Sequence, residues 1–230
     1  MRVHVRGQMG VQLMQAFVGI SRLHEDETPI IVVNSGGDVP GAKTSQLHWV
    51  TDPHCEIKED HDGIRKTPYW QAGAASIAFA HRERVMRWLP LQDRPIVNSG
   101  IVLHARGGDK LMASVDTYRT LLDGIQQRHP GKKITILSDD ADMLDALRPP
   151  SEDADVSPPE EDWFRIFNAE HVYCAPSAFV MSTLLYNPNK HVTYIGREYC
   201  DGTYSAIADD YVFIDESHKF CPNLQVLRKG

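Results

Sequence analysis

His104, Arg106, Asp109 and Lys110 crowd one short stretch, G-I-V-L-H-A-R-G-G-D-K at 100–110, with Gly107 and Gly108 between the charges. A planar guanidinium matches phosphate oxygens two at a time, and a lysine adds a compact point charge. Glycines let the backbone come close to whatever those cations hold. The chemistry open to such a set is capture of an anion and stabilisation of charge building on it. The plain alternative is a polar loop. Two further clusters stand later in the chain. Ser138-Asp139-Asp140 offers a hydroxyl and two carboxylates, and Ser177 with Ala178 and Phe179 opens an apolar segment behind Pro176. Amides at a helix start are a ready anion site.

Each cluster follows a short apolar run with strand character: Ile101–His104, Lys133–Leu137 and Glu170–Cys174. Helical patterns come next. Val115–Arg128 puts Tyr118, Leu121, Leu122 and Ile125 on one face and ends at His129-Pro130-Gly131; a short helix runs to Leu147, and another spans Ala178–Tyr186. Pro149–Glu161 reads as a proline-rich acidic loop, Asp162–Ala169 as a helix with Trp163, Phe164, Ile166 and Phe167, and His191–Ile195 as a further strand. Alternating strands and helices imply a parallel sheet with right-handed crossovers. All three clusters then reach one sheet edge, the carboxyl end, where open α/β sheets bind ligands.

The amino-terminal part starts a second unit of this kind. Met1–Arg6 alternates as a strand, Gly7-Gln8-Met9-Gly10 turns, a helix runs from Val11 to about Leu23, and Ile30–Val33 is a strand. The turn lacks G-x-G-x-x-G, so it is not the dinucleotide fingerprint, although Gly7, Gly10 and Gln12 remain candidates for an anion-holding helix start. Asn34–Gly73 shows little pattern. Within it, Thr67-Pro68-Tyr69-Trp70 suits either stacking on a sugar ring or a place in the core, and His48, His54 and His61 lack metal-ligand spacing. Ala74–Leu89 reads as one helix with Ile77, Ala80, Arg84 and Trp88 along a face, and Pro90–Ser99 as a hinge. The expected architecture is α/β with two Rossmann-like lobes, 1–95 and 96–230, the first one reduced. The tail Tyr199–Gly230, with Tyr211–Ile214 as a strand candidate, is placed to pack back on the first lobe.

An apolar share of 42% supports packed cores, and a formal charge of −7 argues against nucleic acid or an anionic membrane as the main partner. No apolar run reaches the roughly 18 residues that span a bilayer. Arg2, His4 and Arg6 interrupt the one candidate leader, so no signal peptide is expected. Cys55, Cys174, Cys200 and Cys221 are scattered, without C-x-x-C, which suits free thiols in the cytoplasm.

Four pieces in order resemble one group of enzymes. H-A-R-G-G-D-K resembles the H-x-R-x-x-D-K and H-x-R-R-G-D signatures of fucosyltransferases that use GDP-fucose, the α-1,2-, α-1,6- and protein O-fucosyltransferase families. I-L-S-D-D-A-D-M-L resembles their strand ending in S/T-D-D, and D-W-F-R-I-F-N-A-E-H-V-Y-C-A-P-S-A-F their third motif. R-G-Q-M-G-V-Q-L-M-Q-A-F is similar to their opening glycine turn. The likeness covers Met1–Leu23 and Ile96–Gly196 and is silent over Ser35–Pro68 and the tail.

That resemblance implies a GT-B-like pair of lobes, a GDP-sugar donor held mainly by the second lobe, a glycan acceptor, inversion at the anomeric carbon, and neither cofactor nor metal. Asp140-Ala141-Asp142 is formally D-x-D, yet a capping role at a helix start explains it equally well. By the same resemblance Arg106 is the phosphate arginine that opposes charge on the departing diphosphate, with His104, Gly108, Lys110, Ser177, Ala178 and Phe179 around the donor. His104 contacts diphosphate or ribose, or only sets the loop. Asp109 holds Arg106 or the loop amides, or takes part in proton transfer. Asp139 and Asp140 match the acidic pair near the nucleotide, one receiving hydrogen bonds from guanine or ribose and the other capping the helix. Asp162 matches the acidic start of the third motif, or is a helix N-terminal carboxylate.

This chain also departs from the pattern. Gly107 replaces a second arginine, Val11 stands at the asparagine or cysteine of the opening turn, and Ser114 occupies the spacing of a glutamate base candidate, with Asp116 nearby. The chain is short for the group. These departures keep open a catalytically inactive nucleotide-sugar- or glycan-binding protein of the same fold.

Overall fold

The structure is a computed structural model that describes residues 2–5, 9–34, 56–60, 74–91, 100–107, 113–148, 157–196 and 217–228. The chain divides into two compact units, Met1–Pro95 and Ile96–Gly230. It is mixed α/β, and its strands pair in parallel.

In the first unit, β1 (Arg2–Val5), β2 (Ile30–Asn34) and β3 (Glu56–Asp60) form a three-stranded sheet in that order. Helix α1 (Met9–Ser21) joins β1 to β2 and is buried along most of its length, including Leu13, Phe17 and Ile20. It packs tightly on β1, because a Cβ on Gly19 would collide with Val3 Cγ1. Helix α1 begins two residues before the expected Val11, so Gly10 is a helical residue and not part of a turn. The segment expected as one helix is two, α2 (Ala74–Ala80) and α3 (Arg82–Trp88), meeting at His81. Ala75, Ala78, Val85 and the capping Leu89 are buried, whereas Ile77 is 45% exposed. The small alanines let α2 seat against α1; of the expected face Ile77 and Ala80 are exposed, while Arg84 and Trp88 are half-buried. Strand β3, Glu56-Ile57-Lys58-Glu59-Asp60, carries a single apolar residue and so lacks a strand pattern; such charge is tolerated on the edge of a sheet, its place among the described strands.

In the second unit five strands lie in the order β5-β4-β6-β7-β8: β4 (Ile101–Ala105), β5 (Ile134–Ser138), β6 (His171–Cys174), β7 (His191–Ile195) and β8 (Leu224–Leu227). Every β4 residue is buried, as expected of a central strand covered on both faces. Ile101, Leu103 and Ala105 point to one face and share a core with Tyr118, Leu121 and Ile125 of α4 (Val115–Arg128) and with Met143, Leu144 and Leu147 of α5 (Ala141–Leu147). The other face meets α7 (Ala178–Tyr186), where Phe179 stacks on His104. Gly131, at φ 73°, makes the turn between α4 and β5 in a conformation that suits glycine. The tail strand Tyr211–Ile214 lies outside the described residues, and the described tail adds β8 to the second unit's own sheet.

Helix α6 runs Pro159–Asn168, so it starts three residues before the expected Asp162. Proline fits a first turn because its missing N–H would have no partner there, and Glu160, Glu161 and Asp162 complement the positive helix end. Helix α6 pairs with α7 through Trp163, which is fully buried, lies flat on Phe167 at 5.4 Å and donates from Nε1 to Ser182 Oγ at 2.9 Å. Behind this pair sits Lys190, 1% exposed. Its Nζ donates to Ile166 O at 2.7 Å and Phe167 O at 3.0 Å, closing the carboxyl end of α6, and reaches Thr183 Oγ1 at 3.4 Å. Burial brings its ammonium down to about 7. No helix among the described residues is long and apolar enough to cross a membrane.

Candidate functional site

The connectivity of the second sheet defines a crevice. From β4 the chain passes through α4 to β5 on one side; from β6 it passes through α7 to β7 on the other. The direction of winding therefore reverses between β4 and β6. Loops diverging at such a point leave a gap outside the carboxyl ends of the two strands, where doubly wound sheets take their ligands.

Arg106 leaves the end of β4 at this gap and is 9% exposed. Its backbone N–H donates to Tyr118 Oη at 2.9 Å, the Gly107 N–H donates to Asp139 Oδ1 at 3.0 Å, and its own Nε lies 3.6 Å from Asp139 Oδ2. The last distance is an ion pair, longer than a charge-assisted hydrogen bond. A Cβ placed on Gly107 would stand 2.5 Å from Asp140 Cβ, so the backbone here runs against the turn after β5 too closely for a side chain. The second arginine of the fucosyltransferase pattern has no room at this position.

The acidic pair divides its work. Asp140 caps α5, accepting from Met143 N at 2.9 Å, while Asp139 faces Arg106. The β4 loop meets both Asp139 oxygens, Oδ1 through the Gly107 amide and Oδ2 through the 3.6 Å ion pair, while the side chain stays 37% exposed. Ser177 caps α7 by accepting from Val180 N at 3.3 Å, and Ala178 and Phe179 form the first turn of that helix beside the β6 end. His104 is 5% exposed, lies opposite Cys174 of β6, and stacks on Phe179 with ring centroids 5.7 Å apart. Burial, aided by the charge of Arg106, lowers its pKa to about 3, so the ring is neutral at ordinary pH. Its Nδ1 is buried and has no hydrogen-bond partner among the described residues.

His104, Arg106, Asp139, Asp140, Ser177, Ala178 and Phe179 thus gather around the carboxyl ends of β4, β5 and β6. Gly108, Asp109 and Lys110 lie outside the described residues, as do Gly7, Tyr69, Trp70 and the three loop histidines. Gly10 and the fully buried Gln12 belong to α1 of the first unit. Ser114 caps α4, accepting from Thr117 N at 3.2 Å, and Asp116 is an exposed partner of Arg119. Asp162 stands a turn inside α6, where desolvation raises its pKa to about 6 against the pull of Arg165, whose Nη1 lies 3.2 Å away.

Tyr118 was legible only as a core residue, since nothing in a helical stripe marks one hydroxyl as a backbone partner. A second grouping lies at the opposite sheet edge. His129 accepts from or donates to Tyr173 Oη at 2.9 Å, His171 stacks on His191 at 4.7 Å, and His129 meets His171 at 4.8 Å. Stacked rings do not converge their nitrogens, and among the described residues no group of three or more His, Cys, Asp or Glu could hold a metal ion.

No family model, curated protein or solved structure matches the chain.

Proposed function

We propose that the protein is an inverting, metal-independent glycosyltransferase that moves fucose, or a related sugar, from a GDP-linked donor to a glycan hydroxyl, with its two units as the reduced and the donor-binding lobes of a GT-B-like enzyme. One observation carries the reading: the motif arginine stands at the winding reversal of a parallel sheet, between the turn after β5 and the start of α7. The chemistry supports it. Cleaving the sugar–diphosphate bond loads negative charge on the leaving phosphate, and a fixed cation with nearby helix amides stabilises that charge before it forms. A preorganised donor of this kind is worth about 2.7–4 kcal/mol in the comparable oxyanion case, or roughly 10²–10³ in rate. His104 adds an uncharged ring nitrogen suited to a hydroxyl or phosphate oxygen.

The test is a thermal-shift series with GDP, UDP, ADP and dTDP, followed by transfer assays from GDP-fucose with and without chelator. GDP should raise the melting temperature most, as binding to the folded state adds RT ln(1 + [L]/Kd). Arg106→Ala should remove that shift and cut transfer by at least about a hundredfold with the fold kept. Near-normal turnover by this variant, or strict dependence on added manganese, refutes the reading. GDP binding without sugar transfer or GDP release selects the second reading, an inactive nucleotide-sugar-binding protein, which the steric exclusion of a second arginine at Gly107 favours.

A further inference from the structure

We infer that Asp139 is a positioning residue for Arg106, acting through the guanidinium and the Gly107 amide instead of touching the donor. The inference rests on the anion-binding reading of Arg106 and changes the role that sequence alone suggested for this carboxylate. Arg106 stands one residue past β4, so the sheet ladder no longer holds its backbone. In place of the ladder, Tyr118 Oη accepts from the Arg106 amide at 2.9 Å, and a carboxylate from the neighbouring strand end accepts from the next amide at 3.0 Å and pairs with Nε at 3.6 Å. One carboxylate thus bonds the amide after Arg106 and faces its Nε, from the end of β5, which itself pairs with β4 up to Ala105 and Ser138. An arginine steadied at Nε presents its terminal nitrogens as one oriented fork, and orientation is what bidentate phosphate binding needs.

The geometry also accounts for the other residues at the turn. Asp140 is occupied in capping α5, which fixes where Asp139 begins. Ser138 Oγ accepts from Asp140 N at 3.2 Å and stiffens the same turn. Gly107 is glycine because the loop must lie against Asp140 for its amide to reach Asp139. Each feature brings Asp139 to the loop, with Oδ1 on the Gly107 amide and Oδ2 facing Nε.

The experiment is a double-mutant cycle on the full-length chain, with GDP affinity measured by calorimetry for the wild type, Asp139→Asn, Arg106→Ala and the double variant. Asparagine keeps an oxygen for the Gly107 amide and removes the charge opposite Nε. A residue acting through Arg106 should weaken GDP binding roughly tenfold in the wild-type background and by less than about twofold once Arg106 is alanine. Equal losses in both backgrounds would show that Asp139 meets the ligand itself or serves only the fold, and tighter binding by Asp139→Asn would make it a competitor for the arginine; either overturns the inference. A ligand-free readout separates this from the nucleotide reading. The Arg106 Nε–H group, 3.6 Å from the carboxylate, should be rigid by nitrogen relaxation in the wild type and gain fast motion in Asp139→Asn. If the wild type binds none of the four nucleoside diphosphates, the donor assignment falls, and that relaxation alone decides whether Asp139 holds Arg106: added motion upholds the hold, unchanged rigidity ends it.

Discussion

Lys190 allows a prediction that depends on no functional reading. Its folded pKa is about 7 against 10.5 for a free lysine, and desolvation is the main cause. Between those values the unfolded chain binds the proton that the folded chain has released, so stability rises with pH across the window; below about 7 both states carry it and the contribution is flat. From pH 7 to 8.5 the two values give a gain of about 1–2 kcal/mol from this residue. Lys190→Met removes the titration while filling the space. The acceptors it abandons keep other bonds: Ala169 N reaches Ile166 O at 3.2 Å, Asn187 Nδ2 reaches Phe167 O at 3.0 Å, and Thr183 Oγ1 donates to Val180 O at 2.7 Å. Replacing a buried charge by a well-packed apolar chain is then close to neutral at pH 7, within about 1–2 kcal/mol. Urea unfolding at pH 7 and 8.5 measures both proteins, and the wild type should gain about 1–2 kcal/mol relative to the methionine variant. Equal pH slopes in the two proteins would refute the assignment, because the proton would have to leave another group.

Two further outcomes follow from the same unit. Asp162 behaves oppositely to an ordinary paired carboxylate: its pKa is raised from 3.8 to about 6, so its contribution to stability is present below about pH 4 and is lost as pH rises through 6. Asp162→Asn should therefore be more stable than the wild type at pH 7.5, by up to about 3 kcal/mol, and equal to it near pH 3.5, as read by chemical denaturation at both pH values. Gly107→Ala should cost about 1–3 kcal/mol, because the new methyl must push the β4 loop from the Asp140 side chain, and GDP affinity should fall with it. Unchanged melting and binding would mean that the two turns part freely.

Much of the second unit was readable in advance because its signals are local. Val115–Arg128 has a strong apolar stripe and a serine cap, Ile134–Ser138 and His191–Ile195 are short apolar runs, and glycine or proline punctuates their ends. What escaped lacked such marks. The charged edge strand Glu56–Asp60 and the four-residue Leu224–Leu227 owe their pairing to neighbours distant in sequence. The break at His81 involves neither proline nor glycine, and the true face of that region depends on how closely Ala75 and Ala78 approach α1. The start of α6 was displaced because two prolines read as loop, although the second of them suits a helix entry.

The candidate site divides along the same line. Residue types alone mark Arg106, the acidic pair and Ser177 as neighbours in one sheet's strand-to-helix turns, since alternation of strands and helices leaves those turns on a common edge. Chain order carries no information about which of two adjacent carboxylates turns toward the arginine. That choice arises when β4 and β5 align in register, capping takes Asp140, and Asp139 is left facing the Gly107 amide. The neutrality of His104 and the depressed basicity of Lys190 likewise come from burial, a property of the packed chain and not of either residue.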